Sequence, residues 1–449
     1  MKRVFREVWA VLQQEPERWL AYLHGQKLEN MPHLIKSPPR HTGIVKRLLI
    51  LLYFVFRNTR LVANGRIRAD FFFYASTSNQ ISSLEGTLSV LRNRGQSVTA
   101  VSDFKDEGAF EFEPFSAYDL LVGLALTVLR LPAIWRQTRN TNPALREWYF
   151  DLLCRCPIYL VHFNRLLHRY QPRMVVVSND HNPSNRCLLA MAHHLGIFTV
   201  YCQHASVSSL FPALRVNVAL LDGSAALDTY KKCESNQPPG RVGAPRPHIF
   251  LSGQKKELPS DIDLKRAGIG LAVNALDDPD RVVALIYALK DYPLVLRWHP
   301  RQAHKQVVIF KEALSYTGHS FSDPAQEKVG SFLKGLRFLI ASDSSIHLEA
   351  ALAMVQPIYY RFASSGPYDY YGYVGAGIAK EASSLSELVR IFYDEPKCMN
   401  SDPDSPVRYY SFTFGTEWFG REAELAANIL MSVPEETSYP SFSGYVGLL

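Results

Sequence analysis

The chain has 449 residues, 47% hydrophobic and 20% charged, so it is long enough for two or three domains with complete cores. Its net charge of +7 is concentrated: residues 1–70 carry 13 Lys and Arg against 5 Asp and Glu, leaving the other 379 residues at −1. That distribution argues against a nucleic-acid partner, which calls for basicity spread over a binding face, and the six scattered cysteines give no zinc spacing and read as reduced thiols of a cytoplasmic protein.

In chain order, residues 1–30 place Val4, Phe5, Val8, Trp9, Leu12, Trp19, Leu20 and Leu23 at helical spacing, an amphipathic helix or helix pair. No small-residue cleavage site follows an early apolar core, so no secretory signal is expected. Ser37-Pro38-Pro39-Arg40 breaks the pattern. The longest apolar run, Leu48 to Phe56, is nine residues, against the roughly 20 that a spanning helix needs. Lys46 and Arg47 precede it, and Arg57 and Arg60 follow. Residues 1–66 are therefore a basic helical segment, suited either to peripheral contact with an anionic membrane or to a buried helix with charged ends.

Asp70–Ala75 reads as a strand, Ser82–Arg94 as a helix closed by Gly95, and Ser97–Ser102 as a second strand, an order that calls for a parallel sheet. Residues 115–170 are mostly helical. Met174–Ser178, Phe198–Cys202 and Val216–Leu221 are further strands, with a helix over Ser184–Leu195. Asn236–Pro247, with four prolines and two glycines, is the clearest linker. After it the strand–helix rhythm restarts with strands at 249–252, 269–274, 294–298, 338–341 and 357–362, and helices at 279–290, 326–335 and 346–354. The expected domains are 67–240 and 241–430, each Rossmann-like, with 431–449 as a tail and the active site in the cleft between them.

Two strand ends carry the chemistry. Leu294–Trp298 ends in His299-Pro300-Arg301, and Phe338–Ala341 ends in Ser342-Asp343-Ser344-Ser345 with Glu349 on the helix that follows. In an open α/β sheet, ligands bind outside the carboxyl ends of the strands, so both loops belong to one phosphate-holding pocket. His299 suits the oxygen on which charge develops as a nucleotide leaves. Ser344, Ser345 and the amides opening the helix suit phosphate, Glu349 suits ribose hydroxyls, and Arg297 and Arg301 suit phosphate charge. His-Pro and Ser-Ser are cheap pairs in a chain with 14 His and 27 Pro; their common position at strand ends gives them weight. No Walker loop or G-x-G-x-x-G follows a strand, which argues against a P-loop NTPase or a classical dehydrogenase. No Asp-x-Asp stands at a strand end, so no metal or other cofactor is expected.

With these residues in place, the pattern His299-Pro300, then Asp343-Ser344-Ser345-x3-Glu349-Ala350, resembles that of GT-B glycosyltransferases using cytidine-nucleotide donors. That group includes bacterial sialyltransferases and polysialyltransferases, capsule Kdo transferases and CDP-glycerol polymerases. The resemblance covers roughly residues 170–390. It implies a GT-B fold and a cytidine nucleotide held by the His-Pro and Ser-Ser motifs. It also implies a CMP-activated acidic sugar as donor, a surface glycan as acceptor, and work at the cytoplasmic face of the inner membrane. Transfer of a polyol phosphate from a CDP-polyol, or a non-catalytic binding role, are the rival expectations.

On the acceptor side the related capsule and teichoic acid enzymes show Gln-His-Gly or Trp-His-Gly; here Gln203-His204-Ala205 stands, with Ala for Gly. His204 is the first expectation for the group that activates the acceptor hydroxyl, because His titrates near neutral pH. Asp180, next to His181, is the second, as base, as orienting group or as nucleophile. Asp106-Glu107-Gly108 matches the acidic-acidic-Gly triplet of the sialyltransferases but lies about 190 residues before His299, and reads either as a base or as a coincidental turn.

Overall fold

A computed structural model describes residues 2–22, 43–60, 65, 67–103, 108–139, 144–209, 211–234, 245–256, 258, 267–300, 302–362, 368–394, 405–433 and 444–449. They form two compact units: Met1–Lys256 with Glu422–Leu449, and Glu257–Arg421.

The first unit contains β1 (Thr59–Arg60), β2 (Phe71–Ala75), β3 (Val98–Ser102), β4 (Glu111–Phe112), β5 (Phe115–Ser116), β6 (Met174–Val177), β7 (Phe198–Cys202), β8 (Val218–Leu221) and β9 (His248–Leu251). The second contains β10 (Gly268–Val273), β11 (Leu294–Trp298), β12 (Ser320–Ser322), β13 (Leu336–Ala341), β14 (Gln356–Tyr360) and β15 (Lys380–Ala382); β16 (Tyr445–Leu448) returns to the first.

Every residue of β2, β6 and β8 is buried. Parallel strands covered on both faces have no solvent side to make polar, so they read as unbroken apolar runs. The first sheet runs β16-β9-β8-β7-β6-β2-β3-β4, parallel throughout except for β16. The excursion between β3 and β6 is mostly two long helices, Ala117–Arg139 and Ala144–Tyr170, which cross closely. Gly123 permits the crossing: a Cβ there would stand 2.7 Å from Ile158 Cα. The helices Lys2–Gln14, Ile44–Asn58 and Pro183–His194 also pack on Ala144–Tyr170.

The second sheet runs β12-β11-β10-β13-β14-β15, all parallel. One face packs Leu271, Leu296, Ile340 and Ile358 with Val282, Ile286, Phe310 and Leu314 from the helices Pro279–Ala288 and His304–Thr317. The other packs Leu339 with Phe332, Leu333 and Ala350.

The unit boundaries differ from those read off the sequence at 66, 240 and 430. β9, beyond the Pro/Gly-rich stretch, pairs in parallel with β8 from Val218↔His248 to Leu221↔Leu251, so it closes the first sheet and does not open the second. β16 pairs with β9, and the helix Glu422–Ser432 packs on Ser78–Asn93, where Gly86 would bring a Cβ within 3.1 Å of Ala423 Cβ. Residues expected as a tail are thus part of the first unit. So are the N-terminal helices: Val8, Val11 and Leu12 are buried, and fully buried Glu17 accepts hydrogen bonds from Arg130 and Gln137.

Candidate active site

Strand order selects the loops that can hold a ligand. In the second unit the chain order about β10 reverses between β10 and β13, and the crevice of a doubly wound sheet opens at such a reversal. The loops there are Asn274–Asp277 and Ser342–Ser345. They touch: Asn274 Nδ2 donates to the Asp343 carbonyl at 3.5 Å. The Asp343 carboxylate is already committed, accepting from the Tyr359 hydroxyl at 2.9 Å and the Tyr370 amide at 2.8 Å. It shapes the loop that carries Ser344 and Ser345. Both serines are part-buried; Ser344 Oγ accepts the Ile346 amide at 3.4 Å, and Ser345 makes no side-chain cap bond. The helix behind them, Ile346–Leu352, has seven residues and not the nine expected, too short to offer an anion a helix dipole.

The other expected donor residues divide. His299 is part-buried and Pro300 exposed, in a turn where the Gln302 amide donates to the His299 carbonyl at 2.8 Å. They end β11, one strand away from the switch point, with β10 between, roughly 10 Å from the end of β13. Arg297 points elsewhere: its guanidinium donates to Ser322 Oγ and to the Glu327 carbonyl at 2.8 Å, and lies over Phe332. Burial lowers its pKa, opposed by the charges of Glu327, Glu349 and Asp323. Glu349 is 4% exposed and faces that field. Arg301 lies outside the described residues.

One residue of this crevice carried no sequence expectation. Asp277 is 4% exposed, accepts the Asn274 amide at 2.8 Å, and sits beside Ser342 and Asp343. Burial, with the Asp343 charge adding, pushes its carboxyl up to about 7.

In the first unit the order reverses between β2 and β6, which selects Ser76–Thr77 and Ser178–Asn182. Asn182 Nδ2 donates to Ser76 Oγ at 2.9 Å and joins the two loops. Asn179 Oδ1 accepts the amides of His181 and Asn182 at 2.9 and 2.8 Å. Within this frame His181 Nδ1 lies 3.1 Å from Asp180 Oδ1, and Nε2 lies 3.2 Å from Asn179 Nδ2. The set is satisfied when Nδ1 carries the proton. Asp180 is buried, whereas the His181 side chain keeps 21% of its surface exposed.

His204, at the end of β7, has its ring 6.5 Å from that of His181. Desolvation, then the charges of His181 and Lys256, drive its imidazole down to about 3, so it is neutral at pH 7 and a weak proton acceptor. Gln203 is a brace: its Oε1 accepts the Asp222 amide at 2.8 Å and its Nε2 donates to the Ala205 carbonyl at 3.0 Å. Ala205 is absent from the left-handed residues, so Ala in place of Gly costs no backbone strain. Beside it, fully buried Lys255 donates to Asp222 Oδ1 at 3.2 Å and to the Gly253 carbonyl at 2.8 Å. Burial pushes Asp222 up to about 6, with Lys255 opposing. Asp106 and Glu107 lie outside the described residues.

Two doubly wound units, each with polar loops at its switch point, make this a GT-B fold. No family model and no curated protein matches the chain. Among solved structures it is similar to the MnaA–UDP complex of S. aureus, at 14% identity and a TM-score of 0.52, over 83% of this chain and 99% of that one. It is also similar to a putative UDP-N-acetylglucosamine 2-epimerase from Listeria monocytogenes, at 13% identity and a TM-score of 0.51, over 85% and 100%. At these identities the likeness is one of fold.

Proposed function

We propose that the chain is a glycosyltransferase moving an acidic sugar, sialic acid-like or Kdo, from a CMP-activated donor to a surface glycan. The observation that carries this reading is the position of Ser344 and Ser345 at the switch point of the second unit, within the motif set completed by His299. In the step proposed, an acceptor hydroxyl attacks the anomeric carbon and the bond from that carbon to the CMP phosphate oxygen breaks. CMP leaves with the electron pair, and the hydroxyl proton passes to His181 Nε2, displacing the Asn179 contact. Asp180 holds the Nδ1 proton and stabilises the imidazolium that forms. Support for His181 as the base is its place between Asp180 and Asn179 with part of its ring exposed, whereas Asp180 is buried and burial lowers the basicity of His204.

The test is a thermal-shift series with CMP, CDP, UDP and GDP, followed by transfer from CMP-sialic acid and CMP-Kdo. CMP is expected to stabilise most. Ser345→Ala should weaken CMP binding, while His181→Ala should lower turnover by about 10²–10⁴ with CMP binding retained. Transfer that adds phosphorus to the product would favour a CDP-polyol donor. A second reading has a specific observation behind it: of the two structures that share the fold, that of S. aureus MnaA is a complex with UDP, and that from L. monocytogenes is a putative UDP-N-acetylglucosamine 2-epimerase. A preference for UDP would replace the cytidine assignment.

A further inference from the structure

Two helices of the first unit turn apolar faces outward. Leu49, Leu52 and Phe56 on Ile44–Asn58, and Leu121, Val128 and Leu129 on Ala117–Arg139, are between 45% and 77% exposed. Single exposed leucines are ordinary; rows of them at helical spacing on two helices that pack on the same partner are not. Both helices pack on Ala144–Tyr170, and the end of the first is tied to the start of the second by the β1–β5 pairing, Thr59↔Phe115. Phe54 and Phe115 meet at 5.4 Å beneath that tie.

The exposed charges of these two helices have one sign among the described residues. Ile44–Asn58 contains no Asp or Glu, and the only acid of Ala117–Arg139, Asp119, is buried and bonded to Arg165. The inward arginines are paired with acids, Arg47 with Asp151 and Arg130 with Glu17. Lys46, Arg136 and Arg139 are exposed, as are Lys2 and Arg6 on the adjoining helix, where Arg3 is paired with Glu7 at 2.9 Å. Among the described residues neither helix exposes an acid, so on each the apolar face is accompanied by cations alone, which matches the interface of an anionic bilayer.

Ala117–Arg139 is also long and apolar enough to cross a membrane by length and composition. Its other side decides against crossing: Asp119, Leu126, Thr127, Ile134 and Thr138 are buried against protein, and Arg130 is fixed to Glu17. The helix is half committed to the fold, so only its outer face is available to lipid.

We infer that the first unit docks on an anionic lipid surface through the outer faces of Ile44–Asn58 and Ala117–Arg139. The contact surface extends past residues 1–66 to Ala117–Arg139, and it does not depend on which sugar is transferred.

The test is co-flotation of the full chain with phosphatidylglycerol–phosphatidylcholine vesicles and with phosphatidylcholine vesicles alone. The wild type should float with the anionic vesicles and less with the neutral ones, and salt should weaken it. The pair Leu121→Glu and Val128→Glu, and separately Arg136→Glu with Arg139→Glu, should lower partitioning by about tenfold or more with the melting temperature retained. If the first pair fails to fold, Leu49→Glu with Phe56→Glu tests the other helix. No flotation of the wild type, or variants that float as well as it does, would overturn the inference. So would a wild-type dimer that the glutamate pair turns into a monomer without any vesicle binding, because a second copy would then occupy the face.

Discussion

Tyr359 donates its hydroxyl to Asp343 Oδ2 from the strand beside the one that Asp343 terminates, while the Tyr370 amide holds the other oxygen. The carboxylate is thereby a bracket between β13, β14 and the aromatic segment after β14. Tyr359→Phe removes one bond to a charged acceptor and should cost about 1–3 kcal/mol. Chemical denaturation checks the cost, and a nucleotide titration should show weaker binding as the Ser344–Ser345 loop loosens. Unchanged nucleotide affinity would mean that the bracket does not serve the crevice.

Lys255 and Asp222 form a buried pair, and removing one partner strands the other. Lys255→Met should destabilise by about 3–5 kcal/mol at pH 8. The stranded carboxyl escapes by taking a proton, so the gap between variant and wild type should narrow at pH 5. Urea midpoints at the two pH values measure this. Asp222→Asn added to Lys255→Met should recover much of the loss.

Asp277 links stability to pH. Its folded pKa, about 7, lies above the usual 3.8, so the native state holds the extra proton between those values. Its contribution is fully present below about 4 and is lost as pH rises through 7. Asp277→Asn should therefore gain on the wild type as pH rises from 4 to 8, by ~4 kcal/mol at most. His204 and His347, pushed down to about 3 and about 4 by burial, act in the opposite direction, lending stability above 6.5 that is lost on acidification. Comparing variant with wild type at each pH cancels their slope and isolates Asp277.

Gly123→Ala and Gly270→Ala should behave differently although both glycines are crowded. At Gly123 the new Cβ meets backbone, Ile158 Cα at 2.7 Å, and the two helices must separate; about 1–3 kcal/mol is expected. At Gly270 it meets side-chain tips alone, the Leu336 Cδ1 methyl and, both at 3.0 Å, Leu339 Cδ1 and Phe332 Cζ; these can shift at less cost than a backbone, so the loss should be smaller. Melting temperatures of the two variants rank them directly.

The strands were legible because both-face burial leaves nothing polar in them, as Phe71–Ala75 and Met174–Val177 illustrate. Strand order was not, since it is decided by partners distant in sequence. Asp277 reads as a helix-entry residue ahead of Asp278-Pro279, and only the β10/β13 reversal makes its loop part of a crevice. The long helical stretch between β3 and β6 was the available signal that the chain crosses to the other side of β2. Arg297 and Gln203 were flagged for their chemistry, but alternation along β11 turns Arg297 toward Phe332, and Gln203 is spent joining β7 to β8. The apolar residues of Ala117–Arg139 mark a helix, but which of them face outward is decided by its packing on Ala144–Tyr170 and not by the helix's own pattern.

The pairing of β16 with β9 has a consequence for synthesis. His248–Leu251 emerges from the ribosome well before Tyr445–Leu448, with the whole second unit translated in between. At usual elongation rates the wait is roughly 10–40 s. Throughout it, β9 is a bare edge whose amides and carbonyls can pair with any passing strand. The groove at Gly86 that later receives Ala423 is likewise uncovered. The nascent first unit is thus an unfinished body that needs either shielding by a chaperone or fast folding of the intervening domain, and a fragment stopped at residue 256 should aggregate where the full chain does not.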